Sequence, residues 1–372
     1  MSNHLDSISI KQFRGLRELQ LEGLGRVNLF VGANNSGKTS VLEAISVFCS
    51  PLDPVEWLNT SRRRETSGSG VPIVRLAPLR WLFPQTADQQ SEQFYKGRVE
   101  IYATGNIPVQ SVVADYQELA GVPDEDTLQR SRQLMRSREP DETYLGAELQ
   151  VDAGIRVGSL FSDVEHIQAS FVLWETFSFL ARQRELKQSS VRVRTITPVS
   201  HRTERNLVER YSRTVLKNER ETVLELIQQF DSAITDIQVL DTGFSGLYLT
   251  HKKTGVTPVS ALGDGVRRAV AMALTVPQVA NGVLLIDEIE TAIHVSVLNE
   301  VYHWLYQACQ RYNVQLFATT HSLDAVDALL KAHSAATEDL VTYRLDLSGK
   351  PAKRFSGEIL DRLRDELGLD VR

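Results

Sequence analysis

The residues with the most specific chemistry form one short run, Gly32-Ala33-Asn34-Asn35-Ser36-Gly37-Lys38-Thr39, followed by Ser40. The spacing is G-x-x-x-x-G-K-[ST]. Its glycines let backbone N–H groups turn inward around a phosphate at the positive end of a helix. Lys38 is spaced to reach the β- and γ-phosphates of a nucleotide, and the Thr39 hydroxyl to bind Mg²⁺. A second set lies far downstream, where the apolar run Val283-Leu284-Leu285-Ile286 ends in Asp287 and Glu288. An acid at the end of a buried strand holds Mg²⁺ through water, and a second acid beside it orients or deprotonates the attacking water. The predicted chemistry is nucleotide hydrolysis, with Thr39 and Asp287 at the metal and Glu288 as the catalytic carboxylate.

Such residues must be carried by strands that end together. Residues 7–13, 19–22 and 27–31 read as strands, and a helix is predicted over 38–48. From 260 onward helices (265–275, 295–312, 323–331) alternate with strands (283–286, 314–319), which implies a largely parallel sheet with its site at the strand carboxyl ends. The middle differs in texture. Strands are expected at 98–104, 148–151 and 166–174, an exposed loop at 59–70 and a solvated helical segment over 113–143. Apolar residues at three- and four-residue steps predict amphipathic helix across 206–234, before short strands at 237–240 and 247–251. The expected fold class is α/β, with a mostly parallel core sheet, N-terminal antiparallel strands and an inserted mixed helical/β lobe. The expected divisions are 1–110, 111–255 and 256–372.

Composition narrows the class without naming it. The chain has 372 residues, 42% of them hydrophobic, and a net charge of −6, which excludes a fibrous or mainly disordered chain. Cys49 and Cys309 form no C-x-x-C pair, so a reducing, cytoplasmic setting is expected. No apolar run reaches the length of a membrane span, and no membrane partner is expected. The acidic balance hides one basic stretch. Residues 181–220 hold eleven Lys or Arg against four Glu. Arg192, Arg194, Arg202 and Arg205 surround a Thr-Ile-Thr-Pro turn there as candidate contacts to a DNA backbone, or as a solvated face or a contact for an acidic partner.

Three further motifs carry a resemblance. Leu262-Gly263-Asp264-Gly265-Val266-Arg267-Arg268 opens a helix and resembles the signature motif of ATP-binding-cassette and SMC-class ATPases. Thr319-Thr320-His321-Ser322 closes a strand and resembles their switch loop, and Phe13-Arg14-Gly15 resembles the F-R-G element that opens RecF, SMC and OLD (overcoming-lysogenization-defect) proteins. The motif order of the whole chain is similar to the OLD-like group, in which GxNNSGKTS, LGDGxRR and IDExExxxH recur. This resemblance implies an ABC-type P-loop ATPase head that uses ATP and Mg²⁺. It implies that Leu262, Gly263, Asp264 and Gly265 meet the γ-phosphate of a partner copy, and that His321 senses the γ-phosphate of its own. It also implies nucleotide contact by Arg14 and a Q-loop glutamine at the metal, for which Gln85 is the candidate. His294 matches the last motif position, where a structural role is equally open.

The same resemblance implies a head-to-tail homodimer closed by ATP and opened by hydrolysis, acting as a switch. Larger OLD proteins carry a TOPRIM nuclease after the ATPase. Residues 322–372 are too few for one and hold no D-x-D, so the expected effector is a separate TOPRIM-like nuclease or toxin in defence against phage or mobile DNA. The alternative is a RecF-like repair ATPase that binds DNA gaps or ends.

Overall fold

The computed structural model describes residues 4–64, 74–86, 94–123, 143–157, 163–177, 191–203, 206–241, 245–333, 337–346, 351–366 and 368–371. These form two compact units. One comprises Met1–His4, Gly23–Leu42 and Arg192–Arg372, and the other Leu5–Glu22 and Glu43–Val191.

The first unit is built on a six-stranded sheet. Its strands are β3 (Val27–Val31), β8 (Val193–Ile196), β12 (Val283–Ile286), β13 (Gln315–Thr319), β14 (Leu340–Arg344) and β15 (Lys353–Ser356). They lie in the order β15-β14-β3-β13-β12-β8. All neighbours are parallel except β15, which runs antiparallel to β14. Every residue of β3, β12 and β13 is buried. Parallel strands covered on both faces read as largely apolar runs rather than alternating ones, and here only Asn28 in β3 and Gln315 and Thr319 in β13 are polar. Leu29, Leu284 and Leu316 from the sheet share one core with Ala269–Leu274 side chains Val270 and Met272, and with Val301, Leu305, Val326 and Leu329. Those helical residues lie on α7 (Asp264–Thr275), α8 (Leu298–Arg311) and α9 (Leu323–Ala332).

A meander of β9 (Ile234–Asp241), β10 (Ser245–His251) and β11 (Gly255–Pro258) belongs to this unit, with α4 (Ser200–Thr203), α5 (Leu207–Leu216) and α6 (Arg220–Phe230). The helical pattern over 206–234 therefore resolves into two helices. The chain turns between them at Asn218, whose φ of 59° ends one helix before the next begins.

The second unit holds a fully antiparallel sheet in the order β2-β1-β4-β5-β6-β7. Its strands are β1 (Ser7–Phe13), β2 (Leu16–Glu22), β4 (Lys96–Thr104), β5 (Val109–Gly121), β6 (Tyr144–Arg156) and β7 (Val164–Trp174). Trp57, Phe83 and Tyr116 stack in its interior with centroids 6.0 and 4.9 Å apart.

Two expectations are corrected here. Residues 113–121 are strand rather than helix, because Val112, Ala114 and Tyr116 are buried while Asp115 and Gln117 face solvent. The charges on the open face of a sheet had the look of a solvated helix; residues 124–142 lie outside the described set. Residues 59–62 complete α2 (Pro54–Arg62) instead of opening a loop, with Asp53 accepting from the Val55 N–H as its cap. Both units are discontinuous in sequence: β5–β7 extend the antiparallel sheet, and residues from 192 onward belong to the unit of the parallel one.

Asn28 pins the core sheet from inside. Its buried amide accepts from Gly25 N–H at 2.9 Å and donates to the carbonyls of Gly25 and Leu316 at 2.7 and 3.2 Å. Asn28→Leu would strand these groups and destabilise the protein by about 2–4 kcal/mol. In urea unfolding the midpoint should fall with the slope unchanged; an unmoved midpoint would show the pin to be dispensable.

Candidate functional site

The glycine-rich loop is the crossover from β3 to α1 (Lys38–Cys49). Gly32 and Gly37 hold φ angles of 143° and 94°, and Asn35 one of 63°. At Gly32 a Cβ would lie 2.4 Å from the Leu345 carbonyl oxygen and 2.9 Å from Ser36 Oγ, so only glycine fits. Asn34 and Asn35 are exposed, whereas Ser36, Lys38 and Ser40 are buried. Lys38 Nζ donates to the carbonyls of Gly32 and Ala33 at 2.8 Å each. Burial pulls the ammonium's pKa down, and the carboxylates of Asp287, Glu288 and Glu290 push it back. The first N–H groups of α1 have no intrahelical acceptor, so loop and helix end together present donors to an anion.

The second motif closes onto this loop. Thr39 Oγ1 lies 3.1 and 3.2 Å from the two carboxylate oxygens of Asp287. Thr319, the last residue of β13, donates to Asp287 Oδ1 at 2.6 Å and accepts the Glu288 N–H at 2.8 Å. One carboxylate is therefore shared by hydroxyls from two elements. A hydroxyl beside carboxylate oxygens is a hard-oxygen donor set, the kind that suits Mg²⁺. Glu288 adopts φ 47°, a left-handed conformation uncommon outside glycine. Its carboxylate accepts from Thr291 Oγ1 at 3.0 Å.

Arg268 holds this turn from below and was not singled out in the sequence. It is completely buried, and its guanidinium donates to the Thr197 carbonyl, to Asp287 O at 3.3 Å and to Glu288 O at 3.2 Å. Burial pushes its pKa down to about 10, so it remains charged at neutral pH. The signal was its place in the LGDGxRR run, of which only Leu262 to Gly265 were assigned a role. Glu290 was also passed over. Its Oε1 accepts the backbone N–H of His321 at 3.0 Å.

The other predicted residues fall into place as follows. Gly263 caps α7 and is exposed, with Leu262 partly buried before it and Gly265 in the first turn. Asp264 is bound by Arg202, by Arg267 at 3.4 Å and by His201 at 3.4 Å. The hydrogen bond from Arg202 holds its carboxyl below the usual range. Arg202 thus has an intramolecular partner, Arg192 just before β8 and Arg194 on it are exposed, and Arg205 lies outside the described residues. His294 is exposed and caps its own turn through Ser296. Arg14 and Gln85 belong to the antiparallel unit. Arg14 pairs with the buried Glu43 at 2.6 Å, a carboxylate also bound by Arg64 at 2.7 Å. The Gln85 amide donates to the carbonyls of Arg80 and Phe83 at 3.0 Å each.

Residues 27–327 match the family described as "AAA domain, putative AbiEii toxin, Type IV TA system". The chain belongs to this AAA-domain family. An uncharacterized protein of Methanocaldococcus jannaschii is 52% identical over 46 residues, 12% of this chain and 21% of that one. An "ATP/GTP phosphatase" of Helicobacter pylori is 22% identical over 348 residues, 87% of each chain. The "DNA replication and repair protein RecF" of Cytophaga hutchinsonii is 24% identical over 157 residues, 41% of this chain and 40% of that one. The AAA-domain chain thus spans well under half the length of some of its relatives. Among solved structures, an SMC head bound to the C-winged helix domain of ScpA aligns over 95% of this chain and 99% of that one, at 11% identity and a TM-score of 0.47. Among the described residues no helix is long and apolar enough to cross a membrane.

Thr319 links Asp287 to the backbone of Glu288, so Thr319→Val would leave a carboxylate and an N–H short of one partner each. The expected loss is about 1–3 kcal/mol, read from chemical denaturation, with Thr319→Ser close to the native chain. Equal stability of the Val variant would remove Thr319 from this role.

Proposed function

We propose that this AAA-domain chain binds ATP with Mg²⁺ and hydrolyses it, and that ATP joins two copies head to tail. In this reading the joined state signals to a separate effector, a TOPRIM-like nuclease or a toxin, in OLD-like defence against phage or mobile DNA. The observation that carries the reading is the convergence of the Thr39 hydroxyl and the Asp287 carboxylate, with Glu288 next in the chain. The family description, which names a toxin of a Type IV TA system, supports a link to a toxin, and the name of the Helicobacter relative supports hydrolysis.

The chain's residues divide the work. The loop N–H groups and Lys38 bind the phosphates and offset their charge. Thr39 and Asp287 would hold Mg²⁺, which when bound neutralises charge on the phosphate oxygens. Glu288 orients the attacking water and accepts its proton, while His321 donates toward the γ-phosphate. The Gly263 end of α7 faces the γ-phosphate of the second copy, so neither copy completes a site alone. Loss of the γ-phosphate then removes what joins them.

Glu288→Gln keeps the shape of the side chain and loses its basicity. Hydrolysis should fall at least about 100-fold, and the variant should elute as a dimer with ATP and as a monomer without it. A variant that stays monomeric in saturating ATP would contradict the head-to-tail reading.

A further inference from the structure

We infer that Glu290 is a positioning residue that sets His321, rather than a second catalytic carboxylate. The inference rests on the proposed roles of Glu288 and His321 and adds to them. Glu290 follows Glu288 by two residues, and the chain reverses between them through the left-handed Glu288 backbone and the Ile289 N–H, which donates to Thr319 O at 3.0 Å. This turn delivers Glu290 Oε1 to the His321 N–H at 3.0 Å.

The contact joins the motif that holds the metal-binding acid to the loop that follows β13. The backbone on either side of His321 is held by other groups. Its neighbour Thr320 donates to Phe30 O at 3.1 Å, and Ser322 N–H is taken by Thr320 Oγ1 at 3.0 Å. A carboxylate accepting a backbone N–H makes a charge-assisted bond, stronger and more directional than a neutral one. Such a bond restricts the φ and ψ of His321 and hence the arc its imidazole can sweep.

Two observations give Glu290 its place. Its second oxygen is buried and has no hydrogen-bond partner among the described residues, so the side chain is directed inward instead of into bulk water. Burial raises the pKa of the Tyr302 hydroxyl on α8, and the charge of Glu290 raises it further. Glu290 thus has one oxygen committed to the switch backbone and the other buried. A hydrolytic base needs a free, water-facing oxygen, and that task falls to Glu288.

The predicted dependence is specific. A positioning residue acts through the group it positions, so its deletion costs nothing once that group is gone. The experiment is a steady-state ATPase cycle on the full chain with Mg²⁺: native, Glu290→Ala, Glu290→Gln, His321→Ala and the double variant Glu290→Ala/His321→Ala. Thermal melting is followed on each. Glu290→Ala should lower kcat about tenfold with KM for ATP within about twofold. Glu290→Gln keeps an acceptor oxygen for the His321 N–H and should recover most of the rate. The double variant should be no slower than His321→Ala alone.

Multiplying effects in the double variant would overturn the inference. So would a Gln variant as slow as the Ala variant, because that pattern marks a base. Absence of hydrolysis in the native chain, or no effect of His321→Ala, would instead remove the underlying reading and the inference with it. If Glu290→Ala does not fold, the Gln variant alone decides, since a positioner predicts near-native kcat there and a base predicts its loss.

Discussion

The structure turns on one carboxylate. Asp287 receives hydroxyls from Thr39, at the start of α1, and Thr319, at the end of β13. Those two elements and β12 meet only because β3, β13 and β12 are adjacent and parallel, which brings their carboxyl ends to one edge. The requirement for fully buried strands follows from this arrangement. A buried polar group left without a partner in β3 or β12 would shift the phosphate loop or the acid pair relative to the other.

The second constraint is backbone strain at the turn after Asp287. A non-glycine residue held at φ 47° costs on the order of 1–3 kcal/mol and persists only where its surroundings over-determine it. Glu288 is fixed on both sides: its N–H by Thr319, its carbonyl by Arg268 and by the Thr291 N–H at 3.0 Å. Arg268 is a buried cation whose guanidinium donates to carbonyl oxygens rather than to a carboxylate. Isolated buried charge is expensive, and the field of Asp287, Glu288 and Glu290 offsets part of that cost. Stability is spent here on the direction of one carboxylate.

How much could be read in advance followed physical lines. The P-loop, the acid pair and the strand at Val283–Ile286 were legible because each is a contiguous run with a strict pattern. The partners that orient them were not. Arg268 lies nineteen positions from Asp287 and Glu290 thirty-one from His321, both through folds of the chain. Strand β8 was hidden because four residues with an exposed Arg194 among them look like a basic loop, though Val193 and Ile196 are buried against the sheet. The antiparallel β5 was misread for a related reason. Its solvent-facing charges masked a period of two, and its buried Tyr116 and Val112 carried the signal. Arg14 illustrates a different limit: the motif was visible, but its pairing with Glu43 depends on a helix that the motif does not include.

If Asp287 organises the site, its charge should be indispensable while its shape is not. The direct measurement is Mg²⁺-dependent phosphate release from ATP by the purified chain and by Asp287→Asn, with ATP binding and melting temperature followed on the same samples. The account predicts release by the native chain only with Mg²⁺, a rate at least about 100-fold lower in the Asn variant, and a folded variant that still binds nucleotide. Release by Asp287→Asn at the native rate would contradict it.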